Sequence, residues 1–328
     1  DWSSDVCSSD LLLEKVKESI TMKPKVLLAG GTGYIGKYLS RVIEKDAELY
    51  ALSKYPKPDK GSTEEITWLK SDIFNYENVV QSMAGMDVAV FYLDPTKNSA
   101  KLTQATARDL NLIAADNFGR AAAINQIKKL IYIPGSRHDN ETMERLGAYG
   151  APVECTNVEV KRPHINVELQ TSKYDDVRTA MKMVLPKKWT LNQLVDYYSQ
   201  WLDETKGTFV HTKKEDEDYI IYRKNSRKPL AIFKKKQTAE DIITLHLVGG
   251  KLAKPNLKKQ GKLEFRLLKG TSLVMVHLYD YIPKLFWPIY YFIQAPIQGL
   301  LMRGFEIDCR IKHFQGRVQS GEKFKYTK

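Results

Sequence analysis

The chain has 328 residues, of which 43% are hydrophobic and 27% are charged, so it can bury one large core or two of ordinary size. Lys and Arg outnumber Asp and Glu by 51 to 39, which gives a formal net charge of +12. These values exclude a disordered or fibrous chain. The three cysteines, Cys7, Cys155 and Cys309, lie too far apart in sequence for a disulfide scaffold or a cysteine-based zinc site. We therefore expect a soluble, basic, cytoplasmic protein.

The first residues differ from the rest of the chain. Residues 1–11, DWSSDVCSSDL, have no apolar period and resemble a translated sequencing adaptor. On this resemblance we treat residues 1–21 as an artefactual leader and expect Met22 to start the native protein. A short native helix over residues 11–20 is the alternative. The charged, strand-like sequence after Met22 is unlike a secretory signal.

A glycine-rich motif follows the first apolar run. Val26–Ala29 has the pattern of a buried parallel strand, and it leads into GGTGYIG and then into a helical sequence. In such a motif Gly30 permits a tight turn, Gly33 lets the backbone approach a pyrophosphate, and Gly36 lets helix and strand pack closely. With a further strand at Leu49–Ser53, the context predicts a dinucleotide-binding βαβ unit.

Apolar runs and helical stretches alternate through the rest of this half. The runs cover Ile66–Leu69, Val88–Leu93 and Leu130–Ile133, and the longest helical stretch is Ala105–Ile127. Such alternation predicts an α/β fold with a doubly wound parallel sheet of Rossmann type, in which Val153–Val160 is a candidate sixth strand.

The same stretch resembles a known family. GGTGYIG, Ser71-Asp72-Ile73 after the third strand, and IKKLIYIPGS at 127–136 resemble the atypical or extended short-chain dehydrogenase/reductases, especially the NmrA-like NAD(P)-binding group. The resemblance covers about residues 23–160 and implies a nicotinamide dinucleotide cofactor, with Asp72 near the adenine. The cofactor-binding residues that it implies are Gly30, Thr32, Gly33, Tyr34, Ile35, Gly36, Ser53, Lys54, Asp72, Ile73, Tyr92 and Leu93.

The end of the second strand bears on the choice of cofactor. An acid there usually binds the ribose 2′-hydroxyl of NAD, whereas a basic residue accommodates the 2′-phosphate of NADP. Here the strand ends with Ser53 and Lys54. Two more lysines, Lys57 and Lys60, follow, and no acidic residue lies between the strand and Asp59. This pattern favours NADP(H) and leaves NAD(H) open. The lysines could alternatively belong to a solvated loop.

The catalytic Tyr-x-x-x-Lys pair of short-chain dehydrogenases is missing. Tyr50 and Lys54 have that spacing but lie on the second strand. Ser136 lies near the family's catalytic Ser or Thr, and Tyr149 follows at a plausible distance. However, Val153 stands at the lysine position and Pro152 would break the helix. The candidate catalytic residues are therefore Ser136, His138 and Tyr149, without the usual proton relay.

From about Asp176 the pattern changes to helix and antiparallel strands. A strand at Val177–Leu185 precedes a capping box at Thr190–Gln193 and an amphipathic helix. A long apolar segment, Leu285–Met302, follows the strands. The strand-like runs are Thr208–His211, Tyr219–Arg223, Leu230–Phe233, Ile242–Val248, Leu263–Leu268 and Leu273–Tyr281.

This order resembles the START-like (SRPBCC) helix-grip fold, an α+β domain in which a curved sheet wraps a final helix. The stretch from LHLVGGKLAKP to MRGFE also resembles the tail of bacterial proteins that join an NmrA-like domain to such a cup. The resemblance covers about residues 176–315. We therefore expect a Rossmann domain over residues 22–172, a helix-grip domain over 173–316 and a tail over 317–328.

Two features of the second domain can be predicted in detail. We expect Leu285–Met302 to be a buried helix, with a membrane-embedded segment or attachment to anionic lipid as alternatives. Its apolar residues Phe286, Trp287, Tyr290, Tyr291 and Ile293 should face a lining made of Phe265, Leu267, Val274, Val276 and Leu278. A cavity should lie between them and open towards Ser136. The residues that alternate with this lining along the two strands should lie on the other face of the sheet and face solvent. They are Glu264, Arg266, His277 and Tyr279.

The leading functional hypothesis is an NADP(H)-dependent reductase of an apolar small molecule. A non-catalytic NADP(H) sensor and a lipid-handling protein at the membrane surface are the alternatives. The six histidines show no metal-binding spacing, and the dispersed lysines show no motif for reading bases, so we expect neither a metal nor nucleic acid. The sequence leaves the substrate and the oligomeric state open.

Overall fold

A computed structural model describes residues 23–30, 34–56, 66–92, 100–134, 140–156, 175–205, 209–252, 254 and 260–322. The chain forms two compact units. The first comprises Asp1–Lys97 and Ala114–Asn166, and the second comprises Asn98–Ile113 and Val167–Lys328. Each unit has its own sheet.

The first unit is built on six strands that are parallel throughout, in the order β3-β2-β1-β4-β6-β7. This is the order of the doubly wound Rossmann sheet, with its switch point between β1 and β4. The predicted α/β class with a parallel sheet is thereby confirmed. The strands are β1 (Lys25–Leu28), β2 (Glu48–Ser53), β3 (Ile66–Lys70), β4 (Val88–Phe91), β6 (Lys129–Tyr132) and β7 (Val153–Cys155).

The central strands are buried because both faces of a parallel sheet are covered. Leu27, Leu28 and Phe91 are fully buried, as the continuous apolar runs predict. The candidate sixth strand exists as the three-residue β7, paired with β6, and residues 157–160 lie outside the described residues. The helices are α1 (Tyr34–Ile43), α2 (Tyr76–Met83), α3 (Ala107–Ile124) and α4 (Asn140–Gly147).

The second unit contains an eight-stranded sheet in the order β5-β8-β14-β13-β12-β11-β10-β9. The strands from β9 to β14 are successive antiparallel neighbours, so the predicted meander is confirmed. Its identification as a helix-grip fold remains a prediction. The strands are β8 (Val177–Val184), β9 (Val210–Glu215), β10 (Asp218–Arg223), β11 (Pro229–Ala239), β12 (Ile242–Gly249), β13 (Lys262–Leu267) and β14 (Leu273–Tyr281).

One strand of this sheet comes from the first half of the chain. β5 (Leu102–Gln104) pairs in parallel with β8, so that Leu102 lies beside Val177. These residues were expected to belong to the first domain, whereas their contacts group Asn98–Ile113 with the second unit. A three-residue strand is too short to show an alternation of apolar and polar residues. The division between the units falls within α3.

The helix α5 (Leu191–Glu204) begins at the predicted capping box. The Thr190 hydroxyl accepts a hydrogen bond from the Gln193 backbone N–H, and the Gln193 side chain accepts one from the Thr190 N–H. The apolar face of α5 includes the buried Leu194 and Val195 and packs into the core beside the sheet.

The terminal helix runs from Trp287 to Gln319 in three parts. They are α6 (Trp287–Ile289), a π-helical turn (Tyr290–Gln294) and α7 (Ala295–Gln319). Phe305 and Cys309 of α7 are fully buried in the core cluster of the sheet and α5. Edge-to-face contacts of Phe305 with Tyr198 and Trp201 fix the helix against α5.

The expected burial of Leu285–Met302 is wrong for most of its length. Tyr290 is fully buried, but Phe286, Tyr291 and Ile293 are exposed. The physical reason is that apolar residues surround the whole circumference of this segment, whereas the sheet can cover only one side of a helix.

The opposite face of the sheet also differs from expectation. Glu264, Arg266, His277 and Tyr279 are buried rather than solvent-facing. Arg266 donates two hydrogen bonds to one Glu264 oxygen, at 3.0 and 2.7 Å, and the His277 and Tyr279 rings stack 4.7 Å apart. Mutual pairing of polar groups makes their burial tolerable.

The capping box provides a first test. Thr190→Ala should lower the free energy of unfolding by about 1 kcal/mol, because the side chain caps an otherwise unpaired backbone N–H. Urea unfolding followed by circular dichroism would measure the change. Gln193→Ala should cost less in the Thr190→Ala background than in the parent protein, since the two side chains cap reciprocally. Equal costs in both backgrounds would contradict the coupling.

Candidate cofactor and ligand sites

The glycine motif follows β1 at the edge where a Rossmann sheet binds its cofactor. Among the described residues, a Cβ atom added to Gly30 would meet no atom within 4 Å, so these residues leave the space beside this backbone open. Ile35 and Gly36 are buried in the first turns of α1. Thr32, Gly33 and the side chain of Tyr34 lie outside the described residues. An open approach beside Gly30 fits a phosphate-bearing ligand.

Tyr92, another predicted cofactor residue, contacts this motif directly. Its hydroxyl donates a hydrogen bond to the Gly30 carbonyl oxygen. Burial raises the pKa of Tyr92 well above its ordinary value, so the phenol remains a hydrogen-bond donor. The end of β4 therefore holds the start of the glycine motif. Leu93, the next predicted residue, lies outside the described residues.

Two further predicted residues form an ion pair. Lys54 Nζ lies 3.3 Å from Asp72 Oδ2, and the side chains are only 8% and 5% exposed. The Ser53 carbonyl accepts a hydrogen bond from the Ser71 N–H, so the ends of β2 and β3 are joined at this point. The predicted adenine-side carboxylate and the predicted 2′-phosphate lysine are thus neighbours.

The Lys54–Asp72 pair bears on the choice of cofactor. The sequence shows no acid at the end of β2, but the fold brings Asp72 of the next strand to Lys54. The same position consequently offers a cation for a 2′-phosphate and a carboxylate for a 2′-hydroxyl. The backbone nearby is also fixed, because Asn117 Nδ2 donates a 2.9 Å hydrogen bond to the Ile73 carbonyl.

The candidate catalytic residues are only partly described. Ser136 and His138 lie outside the described residues. The Tyr149 hydroxyl donates a 2.8 Å hydrogen bond to Asp116 Oδ1, and Arg120 Nε donates a 2.7 Å hydrogen bond to the other oxygen of Asp116. The Arg120 guanidinium also lies over the Tyr149 ring, 4.4 Å from its centroid.

Sequence reasoning missed this Asp116 cluster, although Asp116 and Arg120 have the i, i+4 spacing of a helical ion pair. Asp116 is fully buried, and Arg145 Nη1 of α4 lies 3.7 Å from its Oδ1. Tyr149 therefore contributes to a buried charge network that ties α3 to α4.

This geometry predicts a structural effect for Tyr149→Phe. The free energy of unfolding should fall by about 1.5–3 kcal/mol, because the variant loses a hydrogen bond to a buried carboxylate. Urea unfolding would measure the loss, with Tyr38→Phe, at an exposed tyrosine of α1, as the control. Any NADPH turnover should remain nearly intact. A 10²–10⁴-fold fall in turnover with an unchanged fold would instead show that Tyr149 is a general acid.

The second unit encloses a cavity between the sheet and the terminal helix, as predicted. Its volume is about 230 Å³. The helix residues that line it, however, are Gln298, Gly299, Leu301 and Met302 rather than the predicted Phe286, Trp287, Tyr290, Tyr291 and Ile293. Of the predicted lining, Val276 and Leu278 of β14 form part of its wall, whereas Phe265, Leu267 and Val274 pack in the core cluster instead. The expected opening towards Ser136 concerns a residue outside the described ones. Other lining residues come from β5, β8, α5, β11, β12 and α7 and include Gln104, Met181, Tyr198, Phe233, Leu247 and Gln298.

The polar groups of the cavity are few and neutral. The Gln104 Oε1 atom is buried, and it has no hydrogen-bond partner in the part of the chain that the structure describes. Gln298 Oε1 accepts a 3.1 Å hydrogen bond from the Tyr290 hydroxyl. Burial raises the pKa of Tyr198 to about 12, so this phenol is neutral near pH 7. Among the described residues, the lining includes no Asp, Glu, Lys, Arg, His or Cys.

The described residues contain no group of three His, Cys, Asp or Glu side chains that could hold a metal ion. They also contain no helix that is both long and apolar enough to cross a bilayer.

Taken together, the fold defines a class of α/β protein in which a Rossmann-type unit is combined with an eight-stranded, mainly antiparallel sheet and a long terminal helix. The auxiliary protein GraX of Staphylococcus aureus (strain NCTC 8325 / PS 47) is 66% identical to this chain over 307 residues, which cover 94% of this chain and 100% of GraX. The chain belongs to the GraX family. No protein-family model matches it.

Solved structures resemble only part of the chain. A nucleoside-diphosphate-sugar epimerase from Staphylococcus aureus is 15% identical over 54% of this chain and 55% of its own, with a TM-score of 0.31. The Bordetella bronchiseptica enzyme WbmH, solved with NAD+, is 15% identical over 40% and 54%, with a TM-score of 0.31. Uronate dehydrogenase from Agrobacterium tumefaciens is 16% identical over 34% of this chain and 41% of its own, with a TM-score of 0.28. The matches span about half or less of those structures, so the fold assignment rests on the strand order of this chain.

Proposed function

We propose that the first unit binds a nicotinamide dinucleotide, NADP(H) in preference to NAD(H), and that the second unit binds a neutral, mainly apolar small molecule. The cavity is the observation that carries the proposal, because its lining is apolar with a few amide and hydroxyl groups. Small-molecule pockets typically combine such a lining with a few polar anchors. The open space beside Gly30 and the Lys54–Asp72 pair support the nucleotide site.

The cavity limits the size and chemistry of its ligand. Its volume of about 230 Å³ exceeds the roughly 150 Å³ of an engineered cavity in another protein that binds benzene. A molecule somewhat larger than a single ring therefore fits. The Gln104 amide supplies a partner for one polar group of the ligand, and a charged ligand is disfavoured because no lining side chain would compensate its charge.

We further propose that ligand binding serves sensing rather than turnover. Val153 stands where short-chain dehydrogenases have the lysine of their proton relay, and the Tyr149 hydroxyl donates a hydrogen bond to Asp116. Burial raises the pKa of both tyrosines in the cavity wall, Tyr198 and Tyr281, that of Tyr198 to about 12, whereas a pKa near 7 suits a general acid or base. A nucleotide-binding protein that reports the presence of an apolar ligand accounts for these features.

Turnover distinguishes this proposal from the reductase hypothesis. NADPH fluorescence should stay constant when the protein is mixed with a panel of apolar aldehydes and ketones. Sustained NADPH consumption that scales with protein concentration would overturn the sensor proposal and establish a reductase.

The cofactor preference has its own test. In fluorescence titrations the protein should bind NADPH more tightly than NADH, and Lys54→Gln should reduce that preference by roughly tenfold, because one charge-assisted contact to the 2′-phosphate is lost. Lys54→Asp would be a poor variant, since it would place a second carboxylate beside Asp72. Lys128→Gln, in an exposed ion pair with Asp87, is the matched control. Equal affinities in the parent protein would refute the preference.

The cavity can be filled to test ligand binding. Saturating indole, a small neutral aromatic probe, should raise the melting temperature of the parent protein. Ala231→Leu adds side-chain volume at a residue of the cavity wall and should abolish most of this rise. Ala239→Leu, at the far end of the same strand, should leave the rise unchanged. An equal response of all three proteins would show that indole binds elsewhere.

A further inference from the structure

The start of the terminal helix exposes an unusual amount of apolar surface. Within residues 285–300, here named the exposed apolar segment, Phe286 is 72% exposed and Phe292 is 74% exposed. Ile289, Tyr291, Ile293 and Leu300 are exposed as well. Single exposed apolar residues are ordinary, but a contiguous patch marks an interaction surface.

The distribution of these side chains around the helix identifies the kind of surface that they fit. Tyr291, Phe292 and Ile293 are consecutive residues of the π-helical turn, where successive side chains point in different directions, so the three exposed side chains cover a broad part of the circumference. A partner helix covers one narrow stripe, because its contacts recur every three or four residues. An apolar medium that surrounds the exposed side of the helix suits this arrangement better than a second helix does.

The charges at its borders are basic. The sequence from Leu285 to Met302 has no charged residue, and it is bordered by Lys284 and Arg303. Lys101 Nζ lies 4.1 Å from the centroid of the Trp287 ring. Exposed aromatic side chains next to Lys and Arg are typical of helices that lie in the interface of an anionic membrane.

The middle of α7 keeps this positive character. Arg303 Nη1 lies 3.4 Å from Glu306 Oε2, and Arg310 pairs with Glu306 Oε1. Glu306 is buried, whereas both arginines are exposed. Two guanidinium groups share one carboxylate, so the outer face retains a net positive charge that can interact with lipid phosphates.

We propose that the exposed apolar segment attaches the protein to the surface of an anionic membrane. The side chains of Phe286, Phe292 and their exposed neighbours enter the boundary between headgroups and acyl chains, and Lys101, Lys284 and Arg303 bind the headgroups. The attachment is peripheral, since no helix in the described ranges is long and apolar enough to cross a bilayer. It does not depend on nucleotide binding.

Vesicle co-sedimentation tests this proposal. The full chain should sediment with vesicles of equimolar phosphatidylcholine and phosphatidylglycerol, and only weakly with phosphatidylcholine alone. Phe286→Ser and Phe292→Ser should each lower the partition coefficient about tenfold or more, because burying one phenylalanine is worth at least a decade in affinity. Phe209→Ser, at an exposed phenylalanine just before β9, is the matched control.

Trp287 supplies a second measurement. Its fluorescence should be quenched by brominated acyl chains in the anionic vesicles, and Trp287→Phe should remove that part of the signal. Circular dichroism and NADPH titration of each variant show whether the fold is retained.

Three results would overturn the proposal. The first is a parent protein that does not sediment with anionic vesicles. The second is sedimentation that the phenylalanine variants leave unchanged, which would assign binding to the general basic charge. The third is a dimer in analytical ultracentrifugation that Phe292→Ser dissociates, which would assign the surface to a second copy of the chain.

Discussion

The second unit depends on one geometric limit, namely that a sheet can cover only one side of a helix. The terminal helix turns Tyr290, Phe305 and Cys309 inward, where they are fully buried. Within this core, burial raises the pKa of the Cys309 thiol to about 12, so it is an inert part of the packing. The same limit leaves Phe286 and Phe292 outside. One helix consequently forms part of a cavity wall and also presents an uncovered apolar surface.

The first unit follows a different principle, in which the ends of parallel strands bring separate residues to one edge. Gly30 and Tyr92 follow β1 and β4 and are joined by a hydrogen bond. Lys54 and Asp72 follow β2 and β3 and form a buried ion pair. None of these pairs is local in sequence, yet each links residues that come directly after neighbouring strands. The edge is thus held by its own contacts rather than left as four separate loops.

Much of this architecture could be predicted because its signals are local. The run Val26–Ala29, the glycines after it and the Thr190 capping box each occupy a few consecutive residues, and the secondary structure follows them. The alternation of side chains along a strand also showed which residues of β13 and β14 share a face of the sheet. It could not show whether that face is covered, so Glu264 and Arg266 were placed in solvent although they are buried.

The other features that the sequence did not reveal also depend on contacts between distant parts of the chain. A segment that is apolar on all sides, such as Leu285–Met302, does not reveal which side meets the sheet, because no polar stripe marks the solvent side. The Lys54–Asp72 pair depends on the order of strands, and neither residue is near the other in sequence. Asp116 and Arg120 do have the i, i+4 spacing of a helical ion pair, but this spacing alone does not show that Tyr149 joins them.

The origin of β5 has a consequence for how the chain acquires its fold during synthesis. Leu102–Gln104 leaves the ribosome before β6 and β7 of the first sheet, but its partner β8 is made only after both of them. The strand must therefore remain unpaired while the Rossmann sheet is being completed. The two units are consequently interleaved in the order of translation, and neither sheet is encoded by one uninterrupted stretch of the gene.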